Sequence, residues 1–365
     1  MTPKTPNPTP RRRTVLRAGG AGLGALGLAA VASACSQESG EPAAAEVGAA
    51  ESTTTLRVAL GWIKNAEWAG LWIADDKGYY AEEGLTIEWL QGGPNAPTVM
   101  ASVAADAADI GIAAGQQTLL QSIPQGNDFV LIGSIFQDSP GALLSLADRP
   151  VRSAADLVGQ KVLGQEGTQP LVDAVFRLAG MEPDYEFVTA AYDPGPLVEG
   201  QGVAYTCYLT NQPIILEEAY GMSEADYVVT PYSDLGLPGY ASTVFGKREV
   251  VAARRDALVG FLRASVRGWA DNEADPEVGA TLAVEEYGVD LGLDLEQQVR
   301  ENELQIPLTK SALTESAGMF RMDPAVMAGE MYDGLAAAGV TELPVPADVI
   351  DMTLLDDVFA DGTTL

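Results

Sequence analysis

The chain has no histidine in its 365 residues. Imidazole-based metal sites, Ser-His-Asp triads and Cys-His dyads are therefore excluded, because each needs a ring nitrogen that titrates or coordinates near neutral pH. Cysteine is almost as scarce: Cys207 is the sole one beyond Cys35, so the domain downstream of Cys35 cannot close a disulfide on itself. In the strand-like run Ala204-Tyr205-Thr206-Cys207-Tyr208-Leu209 it reads as a small buried hydrophobe. Positive charge is scarce too, with 21 Lys+Arg against 51 Asp+Glu. Five of those cations fall within the first 34 residues, which leaves 16 against 51 and a net charge near −35 for the rest. Such a surface repels phosphate backbones and anionic lipid, which excludes a nucleic-acid partner. The small-residue apolar run at 18–34 is too short for a stable membrane span.

The N-terminus carries Lys4, Arg11, Arg12, Arg13 and Arg17 and no acid, followed by that Ala/Gly/Leu-rich run. A positive region, a short apolar region and small residues before a cleavage point make residues 1–34 a secretory signal. Arg12-Arg13-Thr14-Val15-Leu16-Arg17 resembles a twin-arginine export signal. Ala32-Ser33-Ala34-Cys35 resembles a bacterial lipobox, which would make Cys35 the lipid-modified mature N-terminus; a cysteine that merely closes the signal is the alternative. Residues 36–53 are small and polar with nothing to bury, a flexible tether spanning roughly 25 Å. The expected product, residues 35–54 onward, is a domain held to the outer face of the cell membrane by lipid on Cys35.

About 310 residues remain, enough for two domains of ordinary size. Short apolar strands alternate with helical stretches from Leu56, which predicts α/β architecture with mainly parallel sheets. Strands are expected near 56–60, 85–90, 109–113, 129–136 and 142–146, with Gly78 capping the first helix. A second series runs from Val151 with strands near 161–163, 185–188, around Cys207 and near 227–230, and Thr168 opens a helix as its N-cap. After 240–245 the chain reads as helical almost to its end. Two lobes follow, one from residues 55–145 and 236–365 and the other from 146–235, with a ligand cleft between them.

The resemblance to a known family rests on Trp62-Ile63-Lys64-Asn65-Ala66-Glu67-Trp68-Ala69-Gly70, Lys77-Gly78-Tyr79-Tyr80, Glu83-Gly84-Leu85 and Gly92-Gly93. It continues through Phe136-Gln137-Asp138-Ser139-Pro140, Pro196-Leu197-Val198-Glu199-Gly200, Thr210-Asn211-Gln212-Pro213 and Gln305-Ile306-Pro307. As a set these resemble the NMT1/THI5-like family of type II periplasmic binding proteins. The resemblance implies that fold, a small-molecule ligand, an ABC importer permease as partner, a monomer and no cofactor. Thiamine pyrimidine precursors lead among the implied ligands, with riboflavin-like heterocycles and sulfonate or nitrate anions as alternatives; a surface receptor or scaffold with a degenerate cleft is the distant one. One enzymatic branch uses pyridoxal phosphate on a lysine and consumes its own histidine. Ala113 and Gln117 occupy those positions here, so the expectation is a binding protein and no enzyme.

Pocket residues are expected from loops at strand ends. Trp62 and Trp68 offer planes for a flat ring, core packing being the alternative for each. Asn65 and Glu67 offer acceptors for ring-bound N–H groups, although Glu67 also fits a solvated acid at a helix start. Gln116, Gln137 and Ser139 lie where the chain nears the other lobe. From that lobe come the loop Gln165-Glu166-Gly167-Thr168 and the polar groups Asp193, Tyr208, Thr210 and Asn211. No metal site is expected. Aromatic, uncharged and acidic groups dominate, and they favour a neutral or cationic planar ligand.

Overall fold

The computed structural model describes residues 53–363. The signal segment, Cys35, its twin-arginine motif and nearly all of the tether lie outside the described residues. Ten strands are present: β1 Thr54–Leu60, β2 Leu85–Leu90, β3 Ile110–Gly115, β4 Phe129–Phe136, β5 Gly141–Leu146, β6 Gln160–Gly164, β7 Tyr185–Thr189, β8 Ala204–Tyr208, β9 Tyr227–Pro231 and β10 Ala241–Lys247. They form two five-stranded sheets, ordered β2-β1-β3-β10-β4 and β7-β6-β8-β5-β9.

In the first sheet β1 runs parallel to β2 and β3, while β10 is antiparallel to both β3 and β4. The second sheet repeats the scheme, with β6 parallel to β7 and β8, and β5 antiparallel to β8 and β9. All eight residues of β4 are buried, as an apolar run covered on both faces must be. Gly78 adopts φ +74°, a left-handed conformation that ends the helix Ala69–Asp76 where a side chain would be strained.

Two assignments made from sequence change. Strand β5, placed with the first lobe up to residue 145, pairs with β8 and β9, so the chain crosses between sheets at 137–140. The C-terminal helices do not belong to the first lobe alone. Met327, Met331 and Leu335 pack into a cluster with Leu119 and Phe245 of the first lobe, while Ala338 packs with Val175 and Phe176 of the second. The same tail accepts a hydrogen bond at the Ala337 carbonyl from the Arg177 guanidinium.

Three helices of the returning chain position the site. Arg255–Ala274 lays Leu258, Phe261, Leu262 and Trp269 on the first lobe's main cluster. Its Gly268 approaches Gly70 so closely that a Cβ there would stand 2.0 Å from the Gly70 carbonyl oxygen. Pro276–Leu282 follows, and then Leu295–Gln305, opened by Asp294, whose side chain accepts from the Gln297 N–H. Among the described residues no helix is long and apolar enough to cross a membrane.

Candidate functional site

Beyond β1 the chain turns through residues 61–65 into a short 3₁₀ turn, Ala66–Trp68. Asn65 caps that turn, its side-chain oxygen accepting from the Glu67 N–H at 3.3 Å. The cap aims Glu67 inward, where it is only 6 % exposed. One carboxylate oxygen of Glu67 accepts from the Ser242 hydroxyl at 2.7 Å, and no donor among the described residues reaches the other. Ser242 lies in β10 yet has φ +50°, a left-handed conformation that costs a non-glycine residue about 1–2 kcal/mol. Strain of this kind persists where a side chain must be aimed, and here it aims a hydroxyl at the buried carboxyl.

A second buried carboxyl stands next to it. Glu301, 4 % exposed, accepts from Asn65 at 2.8 Å on one oxygen and from Asn211 and Gln298 at 3.1 Å each on the other. Burial pushes the Glu67 carboxyl up to about 7, with the Ser242 hydrogen bond pulling the other way. Glu301 is likewise raised to about 7, by burial first and also by the field of Glu67. Tyr208 of the second lobe is 36 % exposed and lies within the field of Glu67.

The aromatic wall also spans the lobes. Trp62 meets Tyr192 with ring centroids 5.1 Å apart and planes tilted by 57°. Beside them opens a cavity of about 310 Å³, lined by Gly61, Trp62, Gly92, Thr98, Gly115 and Tyr192. No ionised side chain lines it.

The sequence-predicted residues divide. Asn65, Glu67 and Asn211 come together around Glu301, Tyr208 lies within the field of Glu67, and Trp62 meets Tyr192 at the neighbouring cavity. Trp68 does not: it is fully buried in the core, with its ring N–H donating to the Ile63 carbonyl at 3.0 Å. Gln137 and Ser139 serve the crossover. Gln137 donates to the Ser134 carbonyl and accepts from Ser311, while Ser139 accepts from the Gly141 N–H. Gln116 is 5 % exposed, its amide beside Gly239 and its carbonyl oxygen without a donor among the described residues.

In the second lobe Gln165 is occupied by Tyr205 and Thr206, and Asp193 by the Gly195 N–H and the Tyr220 hydroxyl. Glu166 and Gly167 are exposed. Thr168 sits at the N-cap position but does not cap the helix: its hydroxyl donates back to the Gln165 carbonyl. Thr210 is buried at 5 %. Sequence reasoning missed Glu301, Tyr192, Ser242 and Gln298. Gln298, Glu301, Asn302 and Gln305 recur at helical spacing in the sequence, but a polar stripe of that kind reads as solvated surface.

A profile of the family described as NMT1/THI5 like matches residues 65–278, more than half of the chain. The chain belongs to the NMT1/THI5-like family. Within it, the chain is 28 % identical over 310 residues to the formylaminopyrimidine-binding protein of Halalkalibacterium halodurans, covering 82 % of this chain and 89 % of that one. It is 26 % identical over 224 residues to the 4-amino-5-hydroxymethyl-2-methylpyrimidine phosphate synthase of Legionella pneumophila, covering 60 % and 69 %. In fold it superposes on the periplasmic aliphatic sulphonate binding protein of Escherichia coli with a TM-score of 0.63, at 17 % identity over 83 % of this chain and 99 % of that one. Like that protein, this NMT1/THI5-like chain has the type II periplasmic-binding-protein fold.

Proposed function

We propose that this protein is the substrate-binding component of an ABC importer, and that its ligand is a neutral or cationic planar heterocycle, foremost an aminopyrimidine precursor of thiamine. The observation that carries the ligand class is Glu67: a buried carboxyl with one oxygen held by Ser242 and the other free, faced by Tyr208 of the second lobe. A free carboxylate oxygen within the field of Tyr208 suits a ring that carries N–H donors. Two buried carboxyls within each other's field repel an anion, which disfavours a sulfonate. Trp62 and Tyr192 touch each other, so a flat ligand enters by parting them and gains stacking on both faces. The formylaminopyrimidine-binding relative supports the same ligand class.

The synthase relative does not carry its activity over. Ala113 and Gln117 stand where the resemblance places the enzyme's lysine and histidine, and the chain has no histidine at all. A Schiff base needs an amine and the donor an imidazole. The protein acts by binding and delivery to a permease as a monomer, tethered outside the membrane through lipid on Cys35 after export on the Arg12-Arg13 signal.

Calorimetric titration with 4-amino-5-hydroxymethyl-2-methylpyrimidine, riboflavin and taurine tests this. The pyrimidine should bind, Glu67→Gln should weaken it about tenfold to a hundredfold, and Trp62→Ala should remove most of the tryptophan quenching that accompanies binding. Tight taurine binding with no response to pyrimidines overturns the ligand class. For the anchor, Cys35→Ala should release the protein from membranes, and replacing Arg12 and Arg13 with lysine should block its export. Membrane-bound Cys35→Ala protein overturns the lipid reading.

A further inference from the structure

The helix Leu295–Gln305 belongs to the returning chain that packs on the first lobe, yet two of its neighbouring residues reach across to the second. Arg300 forms an ion pair with Glu217 of the helix Gln212–Tyr220. Glu301 takes the side-chain amide of Asn211, the residue that opens that same helix. On its other oxygen Glu301 takes the amide of Asn65, which caps the turn carrying Glu67. A single carboxylate thus receives one donor from each lobe, and Gln298 supplies a third.

We propose that Glu301 is the positioning residue that ties the lobes together across the cleft, so that closure of the second lobe and the aim of Glu67 depend on one shared carboxylate. Closure brings Asn211 onto Glu301, which completes the acceptor set of a carboxylate buried at 4 % exposure. Opening the lobes strips that donor away and hydrates the group. Because Asn65 bonds both Glu301 and the Glu67 backbone, the tie reaches the ligand-facing carboxyl through one side chain. The inference rests on the two-lobe binding-protein reading and not on which ligand is bound.

A charge placed at Asn211 separates this role from simple packing. At about pH 9, where Glu301 is ionised, Asn211→Asp sets a second carboxylate against it, and the two repel at hydrogen-bond distance. Small-angle scattering of the ligand-free protein should then show a larger radius of gyration than wild type. Dissociation of 4-amino-5-hydroxymethyl-2-methylpyrimidine should quicken about tenfold, the loss expected for one buried charge-assisted hydrogen bond. Adding Glu301→Gln removes the repulsion, and the double variant should scatter as the compact particle again. Should Asn211→Asp lose its cooperative melt, Asn211→Ala takes its place, with a smaller opening expected and no recovery on adding Glu301→Gln. Equal scattering by wild type and both Asn211 variants overturns the proposal, as does an Asn211→Asp protein that Glu301→Gln fails to re-close. If the pyrimidine does not bind wild type, the scattering result still decides the tie, and the ligand reading alone fails.

Discussion

Two helices of the returning chain pack on the first lobe by opposite rules. Arg255–Ala274 buries Leu258, Phe261, Leu262 and Trp269, an apolar stripe. Leu295–Gln305 buries Gln298, Glu301, Asn302 and Gln305 and leaves Leu295 and Leu304 at 36 % and 38 % exposure. Each residue of its buried face is hydrogen-bonded: Gln298 accepts from the Ala66 N–H, Gln305 donates to the Ala66 carbonyl, and Asn302 exchanges hydrogen bonds with Asn272. The first helix stabilises by removing hydrocarbon from water. The second gains little that way, because its bonds replace bonds to water at a net of about 1 kcal/mol each. What it supplies is a fixed geometry for the turn that carries Glu67, and a fold keeps so polar an interior where aim matters more than burial.

Breaking the apolar helix should have the largest effect. Phe261 stacks on Tyr80 with centroids 5.5 Å apart, and Phe261→Ala leaves a cavity in the main cluster. Denaturant titration should show a loss of about 3–5 kcal/mol, with ligand affinity unchanged in the fraction that remains folded.

The polar helix should respond to pH where the apolar one does not. Glu67 and Glu301 titrate near 7 in the folded chain, against an ordinary value of 4.5. Between those values the folded chain holds protons that the unfolded chain has released. The stability these groups contribute is therefore complete below about 4.5 and is lost as pH rises through 7. Opening of the cleft hydrates both carboxyls and limits the loss, so about 2 kcal/mol is expected between pH 5 and 8. Thermal melts across that range should show it, and the double variant Glu67→Gln/Glu301→Gln should flatten the profile. Ligand affinity should move the other way, rising with pH, because ring N–H donors favour the ionised Glu67.

The strands were legible in the sequence because alternation and wholly apolar runs carry their own period, and β4 and the Gly78 cap fall where the residues place them. The crossover was less legible. Ala142–Leu146 reads as a strand under either assignment, and only its partners β8 and β9 decide its sheet. At the candidate site, Trp62, Asn65 and Glu67 stand out in the sequence because they follow a strand end. Trp68, one residue further, belongs to the core, since a 3₁₀ turn points neighbouring side chains in different directions. Glu301 was passed over because hydropathy treats a polar stripe as solvated surface. Its burial depends on Asn65 and Asn211, 236 and 90 residues away, and no local pattern carries that information.

A single step along the chain, from Leu304 to Gln305, carries the same contrast. Ordinary hydropathy makes the leucine the buried residue and the glutamine the replaceable one. Here Leu304 is 38 % exposed, while Gln305 is 1 % exposed and donates to both Ala66 and Asn302. Gln305→Leu keeps the volume but removes one of two donors from the Ala66 carbonyl and from the Asn302 amide oxygen, which keep the Ala69 N–H and the Asn272 amide. That should cost about 1–3 kcal/mol and loosen the turn bearing Glu67, so affinity should fall alongside stability. Leu304→Gln exchanges one exposed side chain for another in a helix that tolerates either, and should change stability by no more than about 0.5 kcal/mol. Paired melts and pyrimidine titrations of these two variants measure the contrast. Equal costs at the two positions would mean that the polar stripe is held no more tightly than surface.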